Sequence, residues 1–106
     1  MTRRGQRVDF EWDENKNRIN KAKHRISFES ARGVFFDLFA VFVQDRYVDG
    51  EERWQVTGVA DGIQVIVVAH TYRGEQNGEE IIRIISARPA ERAERRDYDR
   101  TRLGQN

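Results

Sequence analysis

Apolar positions along this chain follow three rhythms, and each predicts a different element. Near the start, "VDFEW" alternates apolar and acidic residues, the period-two signature of a brief strand. From Trp12 onward the spacing changes to three and four. Trp12, Ile19, Ala22 and Ile26 fall near one helical face behind a candidate cap at Asp13, while Lys16, Lys21, Lys23 and Arg25 lie mainly off that face. Phe28, Ala31, Phe35 and Leu38 then repeat at the core spacing of a second helix, which Ser27 can cap.

The third rhythm is that of strands. In "RWQVTGVADGIQVIVVAHTY" two β-type runs flank Asp61 and Gly62, a pair suited to a type I′ turn, so the stretch predicts a hairpin. "EQNGEE" offers a second turn at Asn77 and Gly78, and "EIIRIISA" a third strand. Pro89 suits the first turn of a helix running through Tyr98, and "TRLGQN" is expected to fray. Because the run from Ile63 to Tyr72 is apolar on both faces, helices are expected on both sides of the sheet. The order predicts a compact α+β domain: an antiparallel sheet of a short N-terminal strand plus a three-strand meander, two N-terminal helices and one C-terminal helix. A chain of 106 residues cannot divide its core and stay stable, so residues 1–106 are expected to form one domain, with a core from about residue 8 to about residue 99.

Composition changes that picture in one respect. Lys and Arg number 19 against 18 Asp and Glu, a net charge of +1, so bulk attraction to nucleic acid is not the signal. Residue type is. Nearly all the basic residues are arginine, whose planar fork holds phosphate or carboxylate by two parallel hydrogen bonds. Without cysteine, disulfides and thiolate chemistry are excluded. His24 and His70 are the two histidines, in different elements and outside any metal-ligand spacing, so neither a metal nor a cofactor is expected. No apolar run approaches the roughly 20 residues of a membrane span and the start lacks a signal-peptide core, which makes the cytoplasm the expected location and a membrane no expected partner.

A two-residue turn at Asp61 and Gly62 would pair Ala60 with Ile63, Arg53 with His70, and bring Glu51 near Tyr72. A tight turn at Asn77 and Gly78 would set Arg83 opposite Tyr72 and Ile85 opposite His70. Glu51, Arg53, His70, Tyr72 and Arg83 would then share one sheet face. A carboxylate, an imidazole, a phenol and two guanidiniums suit phosphodiester chemistry: a base for a 2′-hydroxyl, an acid for the leaving oxygen, fixed positive charge for the phosphorane. The same residues also fit a cross-strand cluster of salt bridges. One residue more in the second loop would turn Arg83 away and bring Ser86 and Arg88 in its place.

The run "FEWDENKNRINKAKHRISFESARGVFFD", followed by "DGEERWQVTGVADG", "VVAHTYR" and "RIISARPAERAERRDY", resembles the BrnT family of bacterial type II toxins over nearly the whole chain, from Phe10 to Tyr98. The resemblance implies a RelE-like ribonuclease fold, a sequence-tolerant RNase activity that stops translation, and a BrnA-type ribbon-helix-helix antitoxin, through whose complex operator DNA is bound. The family pattern falls on Gly50, Glu51, Glu52 and Arg53, on Lys23 and His24, on Arg83, Ser86 and Arg88, and on Glu94, Arg95 and Tyr98. Where a glycine is expected after the lysine-histidine pair stands Arg25, and the loop "RGEQNGEE" is longer than the family's usual connection.

The expected function is a metal-independent endoribonuclease toxin. Arg53, Arg83 and Arg88 would hold phosphate, Glu51, Glu52 or His70 would take the 2′-hydroxyl proton, and Tyr98 or His70 would position the base or protonate the leaving group. Lys16, Lys21, Lys23, Arg92 and Arg95 would bind RNA. The alternative is a non-catalytic module whose arginines grip RNA or an acidic partner.

Overall fold

Asp13 and Ser27 stop the chain from extending and start helices. Asp13 accepts hydrogen bonds from the backbone N–H groups of Asn15 (2.8 Å) and Lys16 (3.2 Å), and the Ser27 hydroxyl accepts one from Ser30 (3.0 Å). In a computed structural model, which describes residues 7–62, 64–76 and 79–104, these caps open α1 (Glu14–His24) and α2 (Phe28–Ala31). A strand β1 (Arg7–Glu11) precedes them. After a 3₁₀ segment (Arg32–Phe36) come β2 (Val41–Val48), β3 (Glu51–Ala60), β4 (Gln64–Gln76), β5 (Glu79–Pro89) and α3 (Arg92–Arg102).

The five strands form one sheet in the order β1-β5-β4-β3-β2. Neighbours from β2 to β5 are antiparallel, but β1 pairs parallel to β5, so the sheet is mixed rather than antiparallel throughout. The helices carry the chain from β1 at one edge of the sheet to β2 at the other, and three antiparallel steps then return β5 beside β1 in the same direction. Strand β2 is an addition to the predicted elements. Its signal was present: "VFVQDRYV" precedes Asp49 and Gly50, whose φ angles of 51° and 79° make the two-residue connection that pairs Val48 with Glu51.

The core lies on one face of this sheet. Phe28, Ala31 and Val34 are fully buried against Val56, Ile66, Val68, Ile84 and Ala87, which alternate onto that face. Gly58 admits the close approach: a Cβ there would sit 3.0 Å from both Val34 Cγ1 and Asp37 Oδ2. Leu38, expected in the core, is 93% exposed, because the second helix tightens from α to 3₁₀ geometry at Arg32 and loses the four-residue spacing.

The first helix departs further from its expected apolar face. Ile19 and Ala22 are exposed; Asn17 and Asn20 are the buried residues of α1. The β1 ladder ends at Arg83, so the outer edge of β5 beyond it has backbone groups without a strand partner. Asn20 supplies the partner, accepting from Ala87 N–H (3.1 Å) and donating to the carbonyls of Ala87 (2.8 Å) and Ile26 (2.9 Å). Asn17 accepts from Phe28 N–H (2.8 Å) and donates to Glu14 and Glu29. Polar residues win these positions because the surface that α1 covers is a backbone edge.

Pro89 closes β5 instead of opening α3. Glu91 caps that helix through a reciprocal pair with Glu94, and its first residue is Arg92, three positions past Pro89.

Candidate active site on the open sheet face

Whether the predicted cluster forms depends on two registers. Ala60 pairs with Gln64, so three residues separate β3 from β4 where two were expected; Ile63 lies outside the described residues. That one residue reverses the parity of β3 against β4, and His70 stands opposite Trp54, not Arg53. The predicted cluster therefore splits. His70 and Tyr72 point to the helix-covered face, while Arg53 and Glu51, at odd positions of β3, point to the other.

The turn at Asn77 and Gly78 lies outside the described residues, but the β4–β5 ladder is clear. Thr71 pairs with Arg83 and Tyr72 with Ile82; beyond His70 the register shifts by one, so that Ala69 pairs with Ser86 and Val67 with Arg88. The irregularity accommodates Ile85 as an extra residue in β5. Without it, Arg83 and Ser86, three apart, would face opposite ways. With it, Arg83, Ser86 and Arg88 all project to the face that carries Arg53, and the sequence-level choice between Arg83 and the Ser86–Arg88 pair disappears.

One row crosses this open face. Arg53, one step past the last paired residue of β3, falls beside Thr71; Thr71 pairs with Arg83, and Arg83 with Glu11 of β1. Adjacent members are about 4.8 Å apart along the row. Glu11 is engaged by Arg73 at 2.9 Å. Among the described residues no ion pair involves Arg53 or Arg83, and both are half-buried. Glu51 sits two residues from Arg53 on the same face, whereas Glu52 points to the other face, within 3.4 Å of the Tyr47 hydroxyl.

Three of the expected site residues have other commitments. Arg88 lies on the open face, but both arms of its fork bind Glu94 at 2.8 Å, which raises its pKa further and holds the Glu94 carboxyl below its usual range. The pair ties β5 to the first turn of α3. Tyr98 is buried and donates to Asp37 Oδ2 at 2.6 Å; burial and that carboxylate push its phenol up to about 12. Asp37 also accepts from the backbone of Val59 and Phe39, and although burial opposes its charge, these bonds hold its carboxyl below the usual value. His70 is fully buried, boxed by Phe35 (4.7 Å), Tyr72 (5.2 Å) and Phe42 (6.1 Å). Burial drives its pKa down to about 4, against the pull of the Val68 carbonyl near Nδ1, so the ring is neutral at pH 7. It packs the core, and neither His70 nor Tyr98 reaches the arginine row.

The expected RNA-binding residues flank the sheet. Lys16, Lys21 and Lys23 are exposed on α1, along the β5 edge, and Arg92 and Arg95 line an outer groove of α3 with Arg96 and Arg100. A separate apolar groove of about 340 Å³ on the helix-covered face is walled by Phe35, Phe36, Leu38, Phe42 and Tyr72; its charged lining residues are acidic, which does not suit RNA. Thr71 was missed by sequence reasoning, since its place between two arginines depends on both registers.

A family model described as ribonuclease toxin, BrnT, of type II toxin-antitoxin system matches residues 12–94. Among solved structures the chain is similar to that of the Brucella abortus ribonuclease toxin BrnT, with 27% identity, a TM-score of 0.60, and coverage of 80% of this chain and 99% of that one. No curated protein sequence matches.

Proposed function

Because the chain belongs to the BrnT family of ribonuclease toxins of type II toxin-antitoxin systems, we propose that it cleaves RNA on the open sheet face, with Arg53 and Arg83 holding the scissile phosphate. The observation that carries this reading is that both guanidiniums share one row of that face and lack a carboxylate partner among the described residues. In a ribonuclease, two unpaired forks on an open sheet are suited to a phosphate.

RNA brings its own nucleophile. Glu51 takes the proton of the 2′-hydroxyl; the 2′-oxygen bonds to phosphorus; the two arginines neutralise the phosphorane; the bond to the 5′-oxygen breaks, and that oxygen takes a proton from solvent. The products are a 2′,3′-cyclic phosphate and a 5′-hydroxyl, and no step needs a metal. Arg88 serves the site by fixing α3, whose Arg92 and Arg95 extend the cationic path for the RNA backbone, as do Lys16, Lys21 and Lys23 on the other flank. The fold is RelE-like on this reading, and the antitoxin is a BrnA-like ribbon-helix-helix protein that links the complex to operator DNA. The cytoplasm is the compartment where all these partners meet.

The test is incubation of the purified protein with single-stranded RNA and with an all-DNA strand of the same sequence, each in excess EDTA. RNA fragments ending in 2′,3′-cyclic phosphate, with DNA intact, are expected. Cleavage of DNA, or loss of activity on chelation, refutes the mechanism; binding without cleavage points to the non-catalytic module.

A further inference from the structure

Two polar atoms on the open face are buried without a hydrogen-bond partner: Arg53 Nε and Thr71 Oγ1. Thr71 is fully buried; Arg83 pairs with it on one side, and on the other Arg53 stands one step past Trp54, the last residue of β3 paired with β4. Buried polar groups are nearly always paired, so two orphans at adjacent positions require a reason. Their chemistry is complementary. Nε–H of arginine only donates, and a threonine hydroxyl both donates and accepts. Side chains directly across an antiparallel pair have Cβ atoms about 5 Å apart, within the range in which a change of rotamer brings the two atoms together.

We propose that Thr71 is the positioning residue for Arg53, and that the hydrogen bond from Arg53 Nε–H to Thr71 Oγ1 is open in the free protein and closes when the fork of Arg53 engages phosphate. Rotating the guanidinium so that both terminal nitrogens face the anion turns Nε towards the sheet, where the Thr71 hydroxyl accepts from it. The hydroxyl's own proton then points away from Arg53, towards the Arg83 side of the row. Thr71 never touches substrate. It fixes the plane of the group that does, and its bond is strongest when the fork meets the phosphorane, which carries one more negative charge than the scissile phosphate, so it acts on the chemical step more than on binding or folding. This role rests on the assignment of Arg53 to the phosphate.

The experiment compares Thr71→Val, Thr71→Ser and Arg53→Ala with the parent for thermal midpoint, kcat and KM on one RNA. Thr71→Val keeps the shape and deletes the hydroxyl. It should melt at or above the parent, since an unpaired buried hydroxyl is removed, and lose about tenfold in kcat with KM nearly unchanged, the size of one hydrogen bond. Thr71→Ser should keep most of kcat. Added to Arg53→Ala, Thr71→Val should cost nothing further. If Thr71→Val cuts at the parental rate while Arg53→Ala is impaired, the positioning role falls and the phosphate site stands. If Arg53→Ala itself cuts normally, both fall. Loss of kcat together with a lower melting point in Thr71→Val, unrelieved in Thr71→Ser, makes Thr71 a structural residue and overturns the proposal.

Discussion

The two faces of the sheet are built from the same strands and use opposite logic. On the helix-covered face, Val56, Ile66, Val68 and Ile84 close against Phe28 and Val34, and a histidine is accepted there as a neutral ring among aromatic ones, its Nε2 without a hydrogen-bond partner. On the open face the same strands carry Arg53, Thr71, Ser86 and Arg83 beside the apolar Val67 and Ala69, with a guanidinium N–H and a hydroxyl left unpaired. One face lowers the free energy of the fold by burying what it carries; the other holds donors ready for something absent from the chain. A residue's face therefore predicts what its loss will damage.

The largest effect that separates the two is on catalysis. Arg53→Ala and Arg83→Ala should each lower RNA cleavage about a hundred- to thousandfold, the effect of removing a preorganised charge from a developing oxyanion. Both should melt close to the parent, because half-exposed cations without ion partners contribute little to stability. Lysine at either position should restore activity only in part, lacking the fork. Cleavage rates and melts on the same preparations check this. Parental rates in both alanine variants would move the site off this face; unfolding of both would erase the distinction between the faces.

His70 provides the converse, a change in stability without a change in chemistry. Its pKa is about 4 in the folded chain against an ordinary 6.5. Below pH 6.5 the unfolded chain takes up a proton that the folded one refuses, so the stabilisation is complete above pH 6.5 and is lost as pH falls towards 4. The difference, 6.5 minus about 4, amounts to about 3 kcal/mol at about 1.4 kcal/mol per unit. Urea melts between pH 7.5 and 4 should show this loss in the parent and a flatter profile in His70→Leu. The carboxyls of Asp37 and Glu94, both held low, lose their share as pH falls below their ordinary values of 3.8 and 4.5. At pH 7 the folded variant should cut RNA at nearly the parental rate. A collapse of cleavage with the fold intact would return His70 to the reaction.

How far the sequence reveals these faces depends on parity. The caps at Asp13 and Ser27, the strands around residues 53–60 and 64–72, and the arginine content of β5 were all legible, because each depends on neighbours within a few residues. Which residues share a face depends on single insertions. One residue more than expected between the paired ends of β3 and β4 moved His70 away from Arg53, and Ile85 restored Arg83 to the company of Ser86. Two Asp-Gly pairs occur, and the tight two-residue hairpin formed at Asp49 and Gly50, whereas the expectation was placed on Asp61 and Gly62. Asn20 was invisible for another reason. Its partner is a strand edge 67 residues away, which no helical periodicity records.

The smallest expected effect tests how far along α1 the RNA path runs. Arg25 ends α1 with φ 60° and ψ 29°, its N–H bonded to Lys21 O at 2.8 Å, so the helix ends in a left-handed cap without the glycine that favours one. A side chain in that conformation costs about 1–2 kcal/mol, and glycine's larger entropy loss on folding takes back about 0.5–1. Arg25→Gly should then be more stable by about 0.5–1 kcal/mol, a rise in melting temperature on the order of a few °C. The substitution also removes one cation beside Lys21 and Lys23. If RNA is held by the open face and the residues named with it, cleavage and its salt dependence stay at the parental values. If Arg25 also tracks the backbone, affinity falls and the slope of log K against log salt flattens by about 0.7, the share of one contact to a single strand. A stabilised variant with that flatter slope would extend the RNA path along α1 past Lys23 to the residue that ends the helix.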